Sequence, residues 1–100
     1  MTEPADCTTM TEVRAGVDAV DGELVALLVR RFGYMDAAAR IKTDRATVRD
    51  EARKAEVLAN VARLAADVGL DPARVNAIWD VLVEQSIGHE LQQWDAFRKE

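Results

Sequence analysis

Between Met10 and Lys42 the sequence places apolar residues at Met10, Val13, Val17, Val20, Leu24, Leu27, Leu28, Phe32, Met35, Ala38 and Ile41, almost all at steps of three or four. That spacing is the period of an α-helix with one apolar face, and no proline interrupts it. About 33 residues rising 1.5 Å each predict a rod of about 50 Å. A compact domain of about 100 residues has a radius of gyration near 13 Å, hence a diameter of about 34 Å. The predicted rod outruns the globule, so its apolar stripe needs a cover. A second copy of the chain laid alongside supplies one. The competing reading breaks the helix at Gly16, Gly22 or Gly33, each costing about 1 kcal/mol relative to alanine in a helix interior. The apolar phase carries through all three, which favours one unbroken helix.

No run of strand-favouring residues alternates with polar ones, and alanine is abundant. The expected fold class is all-α, with one long and two shorter helices per chain in an intertwined helical homodimer. A single helical domain over residues 1–100 is expected, with 1–8 as a loose lead-in. Thirteen basic against 18 acidic residues give a net charge of -5, which argues against nucleic acid or an anionic membrane as partner. A small anion in a local basic pocket stays compatible with it. With one cysteine, Cys7, and one histidine, His89, neither an internal disulfide nor a metal site is expected. No signal peptide and no apolar run of about 20 residues is seen, so a cytoplasmic location is expected.

Local signals divide the rest of the chain. Thr9 followed by Glu12 fits a capping box at the start of the first helix. Thr43 to Ala46 reads as a connector. Thr47 is predicted to cap a second helix carrying Asp50 and Glu51 in its first turn, with Val48, Val57, Leu58, Val61, Leu64 and Val68 as its apolar positions. Gly69 ends that helix. Asp71 and Pro72 restart the chain as cap and first helical residue. Val75, Ile78, Trp79, Leu82, Ile87, Leu91, Trp94 and Phe97 mark a third helix that runs nearly to the C-terminus, with both tryptophans expected in the core.

The catalytic inventory is sparse. No Ser/His/Asp or Cys/His set, glycine-rich phosphate loop or ligand-spaced histidine pair can be assembled. What remains is cations and hydrogen-bonding side chains beside the apolar stripes. Arg31 and Lys42 are 11 residues apart, so they return within about 20° of one direction, about 16 Å apart along the axis. Met35 and the small Ala38 lie between them, leaving a gap suited to a small dicarboxylate; a solvated basic edge is the plainer reading. Arg14 precedes Arg31 by 17 residues, about 25 Å along the helix and roughly 100° around it. One metabolite cannot touch both on the same chain, but Arg14 of a second copy can approach Arg31 and Lys42. Otherwise Arg14 pairs with Asp18.

On the third helix Ser86 and Glu90 stack at i,i+4 in phase with the inward residues. Burial disfavours the charged carboxylate, so Glu90 is expected either to donate a hydrogen bond as a neutral acid or to pair with a buried cation. Asp50 and Arg53, three residues apart, are spaced to touch.

Taken together, Val13-Arg14, Val17-Asp18, Val20-Asp21, Leu24-Val25, Arg31, Lys42, Val48-Arg49-Asp50, Arg53, Val57-Leu58, Gly69-Leu70-Asp71, Ser86-Ile87 and Glu90 resemble the small all-helical chorismate mutase family over nearly the whole chain. That resemblance implies an interlocked three-helix homodimer with two active sites, each receiving an arginine from the partner's long helix. It further implies that Arg14 of the partner copy and Arg31 bind two substrate carboxylates, and that Lys42 contacts the ether oxygen and a nearby carboxylate. Asp50 and Arg53 would enclose the ligand, Ser86 would meet a carboxylate or adjacent polar group, and Glu90 the ether oxygen. Lys42, Glu90 and Arg31 are the implied catalytic residues.

Two positions depart from the family pattern. Lys54 stands where a glutamate usually receives the ring hydroxyl, and Glu90 stands where many members have glutamine. Pro4, Cys7-Thr8, Arg30-Arg31 and Tyr34 also resemble the related isochorismate-pyruvate lyases, whereas Ser86, Asp50 and Glu90 lean toward the mutases. The expected activity is therefore that of an isomerase turning chorismate into prephenate in aromatic amino-acid biosynthesis, without a cofactor. An intramolecular pericyclic rearrangement needs neither nucleophile nor proton transfer, in keeping with the sparse inventory. The alternatives are a lyase giving salicylate and pyruvate, and a non-catalytic helical dimer that binds a pathway metabolite.

Overall fold

The computed structural model describes residues 1–99; Glu100, the end of the expected domain, lies outside the described residues. The order is a short 3-10 turn at Pro4–Asp6, α1 (Met10–Ile41), a second 3-10 turn at Arg45–Thr47, α2 (Glu51–Asp67) and α3 (Pro72–Phe97). No strand occurs among the described residues, so the all-α class and the division into one long and two shorter helices are as expected. α1 is a single helix of 32 residues, running through Gly16, Gly22 and Gly33. No helix among the described residues is long and apolar enough to cross a membrane.

By contacts the chain forms two compact units, Met1–Gly33 and the residues from Tyr34 on. In the first, the Thr9 hydroxyl accepts the Glu12 N–H at 3.2 Å, one half of the capping box. The Glu12 carboxylate turns to the Thr8 N–H rather than that of Thr9, and also takes hydroxyl bonds from Thr2, Thr8 and Thr9. These donors, Thr2 foremost, hold the Glu12 carboxyl below its ordinary pKa. Residues 1–8, expected as a loose lead-in, are thus tied to the helix that follows. The stripe of α1 stays open to solvent in the single chain: Val17 is 52% exposed, Leu24 51% and Leu27 57%. A groove of about 600 Å³ lined by Met1, Pro4, Cys7, Val13, Val17 and Val20 adjoins it.

In the second unit α2 packs on α3 through two apolar clusters. Val61, Ala65 and Val75 are buried with Trp79 against them, and Val48, Val83 and Ile87 are buried with Val57, Leu91 and Trp94. Each such Val or Ile contributes about 1.5–3 kcal/mol when fully buried.

The turn between α2 and α3 is a Schellman motif. Leu70 N–H bonds the Ala65 carbonyl at 2.9 Å, Gly69 N–H bonds that of Ala66 at 3.2 Å, and Gly69 sits at φ +77°. Asp71 accepts the Ala73 N–H at 2.9 Å, with Pro72 opening α3 as predicted. The start of α2 differs from expectation. Thr47 does not cap it, because its hydroxyl donates to the Asp44 carbonyl at 2.7 Å inside a 3-10 turn that Asp44 itself caps. The cap is Asp50, whose carboxylate accepts the Arg53 N–H at 3.0 Å. Val48 belongs to the connector, not to α2, and its burial pins the connector to α3.

Candidate active site

α1 ends at Ile41, so Lys42 stands at the mouth of the connector with its N–H still bonded to the Ala38 carbonyl at 2.9 Å. Its ammonium lies 2.8 Å from Glu90 Oε2. Glu90 is 4% exposed and Ser86, one turn earlier on the same stripe of α3, is 3% exposed. Of the two outcomes expected for Glu90, the single chain shows the pairing with a cation. The pairing is incomplete, however. Oε2 is sealed from solvent and has no aligned hydrogen-bond donor among the described residues. A buried polar oxygen without such a donor is uncommon in a folded protein and calls for an explanation, a binding role among them. The Ser86 hydroxyl donates to the Leu82 carbonyl at 2.7 Å, which fixes its rotamer.

The main chain of Lys42 is held as firmly as its side chain. Trp94 Nε1 donates to the Lys42 carbonyl at 3.0 Å and Arg98 Nη2 at 2.6 Å. Arg98 Nη1 reaches the carbonyls of Ala39 and Trp94, and its guanidinium lies 4.1 Å from the Trp94 ring centroid. One turn further back, Asp36 Oδ1 receives Gln93 Nε2 at 3.1 Å and contacts His89 Nε2 at 2.7 Å. Those contacts, His89 first, lower the Asp36 pKa. Arg45 clasps Asp95 through two hydrogen bonds.

The remaining candidates are distributed as follows. Asp50 acts as the α2 cap, and the Arg53 guanidinium is exposed and bonded to Glu56 at 3.3 Å, so their side chains do not pair with each other. Lys54, at the usual glutamate position, is held between Asp80 and Glu84, 2.9 Å from each, with its side chain only 18% exposed. In the first unit, Arg31 is half-buried. Arg14 is exposed and makes no ion pair among the described residues, with Asp18 or otherwise.

Sequence reasoning missed the network that links the start of α2 to α3. Arg49 binds Glu84 through both terminal nitrogens, at 3.2 and 2.7 Å, and Lys54 shares the same carboxylate. These partners, separated by 30 and 35 residues, leave no local spacing to read. Arg49 first, then Lys54, push the Glu84 carboxyl down from 4.5 to about 2. A carboxyl with a depressed pKa in the folded state stabilises that state above its unfolded value and loses the effect as pH falls through the folded one. The wild type should therefore shed stability between pH 4.5 and about 2 that a Glu84→Gln variant never had. Urea midpoints of the two proteins should converge on acidification and in high salt. A gap that persists at pH 2 would mean that the network does not act through charge.

Residues 13–91 match the family described as chorismate mutase type II. The chain is also 32% identical over 94 residues to the isochorismate pyruvate lyase of Pseudomonas aeruginosa, covering 94% of this chain and 93% of that protein. The matched span holds α2 entire and every candidate from Arg14 to Glu90, so the chain belongs to the chorismate mutase type II family.

Proposed function

We propose that the protein is a chorismate mutase working as a homodimer, in which Lys42 and Glu90 act on the ether oxygen of a dianionic substrate. The observation that carries this is the Lys42–Glu90 pair: an ammonium and a buried carboxyl, 2.8 Å apart, with one sealed oxygen that has no aligned donor. Such a site sets an ammonium beside a buried carboxyl. It can hold a flexible enolpyruvyl side chain over its ring in a reactive shape. It can also stabilise the negative charge that grows on the ether oxygen as the bond to carbon lengthens.

In this reading Arg31 and the Arg14 of a second copy bind the two carboxylates, Ser86 meets a carboxylate or its neighbour, and Asp50 and Arg53 enclose the ligand. Lys42 donates to the ether oxygen, and Glu90, 2.8 Å from its ammonium, meets the same atom from α3. An open α1 stripe and an exposed Arg14 that makes no ion pair among the described residues support the dimer.

A second reading, isochorismate-pyruvate lyase, is favoured by the 32% identity to the Pseudomonas aeruginosa enzyme of that name. Asp50, Ser86 and Glu90 resemble the mutase set, and for that reason the mutase is preferred. Incubating the purified protein with chorismate and, separately, isochorismate separates the two by product: prephenate, or salicylate plus pyruvate. Turnover of neither substrate, with no change in thermal transition on adding them, would favour a non-catalytic metabolite-binding dimer.

A further inference from the structure

The last carbonyls of an α-helix lack intrahelical partners and are commonly closed by a following glycine. α1 has none, since Thr43 and Asp44 come next. α3 and its C-cap do this work instead, through Trp94 and Arg98 on the Lys42 carbonyl and Arg98 on that of Ala39. A guanidinium at a helix C-terminus also complements the helix dipole. Ser86, Glu90 and Trp94 follow one another at i,i+4 along α3, and Arg98, its C-cap, comes four residues after Trp94. α3 and its C-cap thus meet Lys42 twice, at its ammonium through Glu90 and at its carbonyl through Trp94 and Arg98.

We infer that Trp94 and Arg98 are positioning residues that fix the main chain of Lys42 so that its ammonium can move from Glu90 to a bound anion without the connector moving with it. A lysine ammonium rides on a flexible four-carbon stem, and a catalytic cation must be placed to within about 0.5 Å. Anchoring the carbonyl removes backbone freedom that the side chain cannot remove for itself. The stacked Trp94 ring in turn limits where the Arg98 guanidinium can lie. This inference rests on the proposed role of Lys42, and its test has a part that does not.

Trp94→Phe keeps an aromatic ring and loses the N–H; Arg98→Met keeps the bulk and loses charge and donors; Arg98→Lys retains the charge with a single donor group. Trypsin cleavage at Lys42–Thr43, followed by mass spectrometry, reports local opening of the anchored segment, with Arg63–Leu64 inside α2 as the reference bond. Trp94→Phe and Arg98→Met should each speed cleavage at Lys42–Thr43 on the order of tenfold relative to Arg63–Leu64, with Arg98→Lys in between. With whichever substrate is turned over, kcat should fall on the order of tenfold while KM moves less than about threefold. Unchanged cleavage at Lys42–Thr43, an equal rise at both bonds, or selective opening without loss of kcat would each overturn the inference. If neither chorismate nor isochorismate reacts, the proposed function fails on its own and proteolysis still decides whether the anchor exists.

Discussion

Lys42→Ala is expected to lower kcat/KM by about 10²–10³-fold, the usual effect of removing one preorganised group that stabilises developing negative charge. The same substitution strands Glu90, which is 4% exposed and has Lys42 as its counter-charge. Breaking a fully buried pair costs about 3–5 kcal/mol. The Lys42 side chain is 31% exposed, so water screens the pair and a loss of roughly 1–3 kcal/mol is expected. Inactivity alone would therefore not separate catalysis from folding. The double variant Lys42→Ala/Glu90→Gln does, because it leaves no buried charge. Its urea midpoint should return toward the wild type while its activity stays at the floor. A double variant that recovers both would assign Lys42 a structural role.

Leu24→Asp should have the second large effect. In the single chain Leu24 is 51% exposed, and a surface change of that kind shifts stability by about 0.5 kcal/mol or less. In a dimer that covers the α1 stripe, the new carboxylate loses its water without gaining a partner, at a cost of several kcal/mol. Subunits should then separate in sedimentation. Activity should fall at least about 10²-fold as the second copy's arginine is withdrawn from each site. Unchanged mass and activity would mean that the stripe is not the interface.

Features governed by neighbours in sequence were legible in advance. Gly69, Asp71 and Pro72 act within one turn of themselves, and the α1 stripe repeats often enough to carry its phase across three glycines. The start of α2 was misplaced because Thr47 and Asp50 both offer a capping oxygen within four residues. Asp44 decides between them by drawing the Thr47 hydroxyl into a 3-10 turn, and no propensity of Thr47 itself reveals that. Ser86 and Glu90 were readable as a pair from their i,i+4 spacing. Their meeting with Lys42 was not; it came from family resemblance, since 48 positions separate Lys42 from Glu90. Trp94 and Arg98 gave no signal, because an apolar ring on a core stripe and a cation near a chain end each satisfy a commoner role. Only the fold shows that both reach the same carbonyl.

Subunit mixing tests most directly whether the site is assembled from two chains. Arg14→Ala and Lys42→Ala, each inactive alone, are unfolded together in equal amounts and refolded. Random pairing makes about half of the dimers mixed, and each mixed dimer has one site with both residues intact. A shared site predicts recovery of about a quarter of wild-type activity. Recovery of none, with mixed dimers shown to be present, would mean that Arg14 does not serve its neighbour's Lys42.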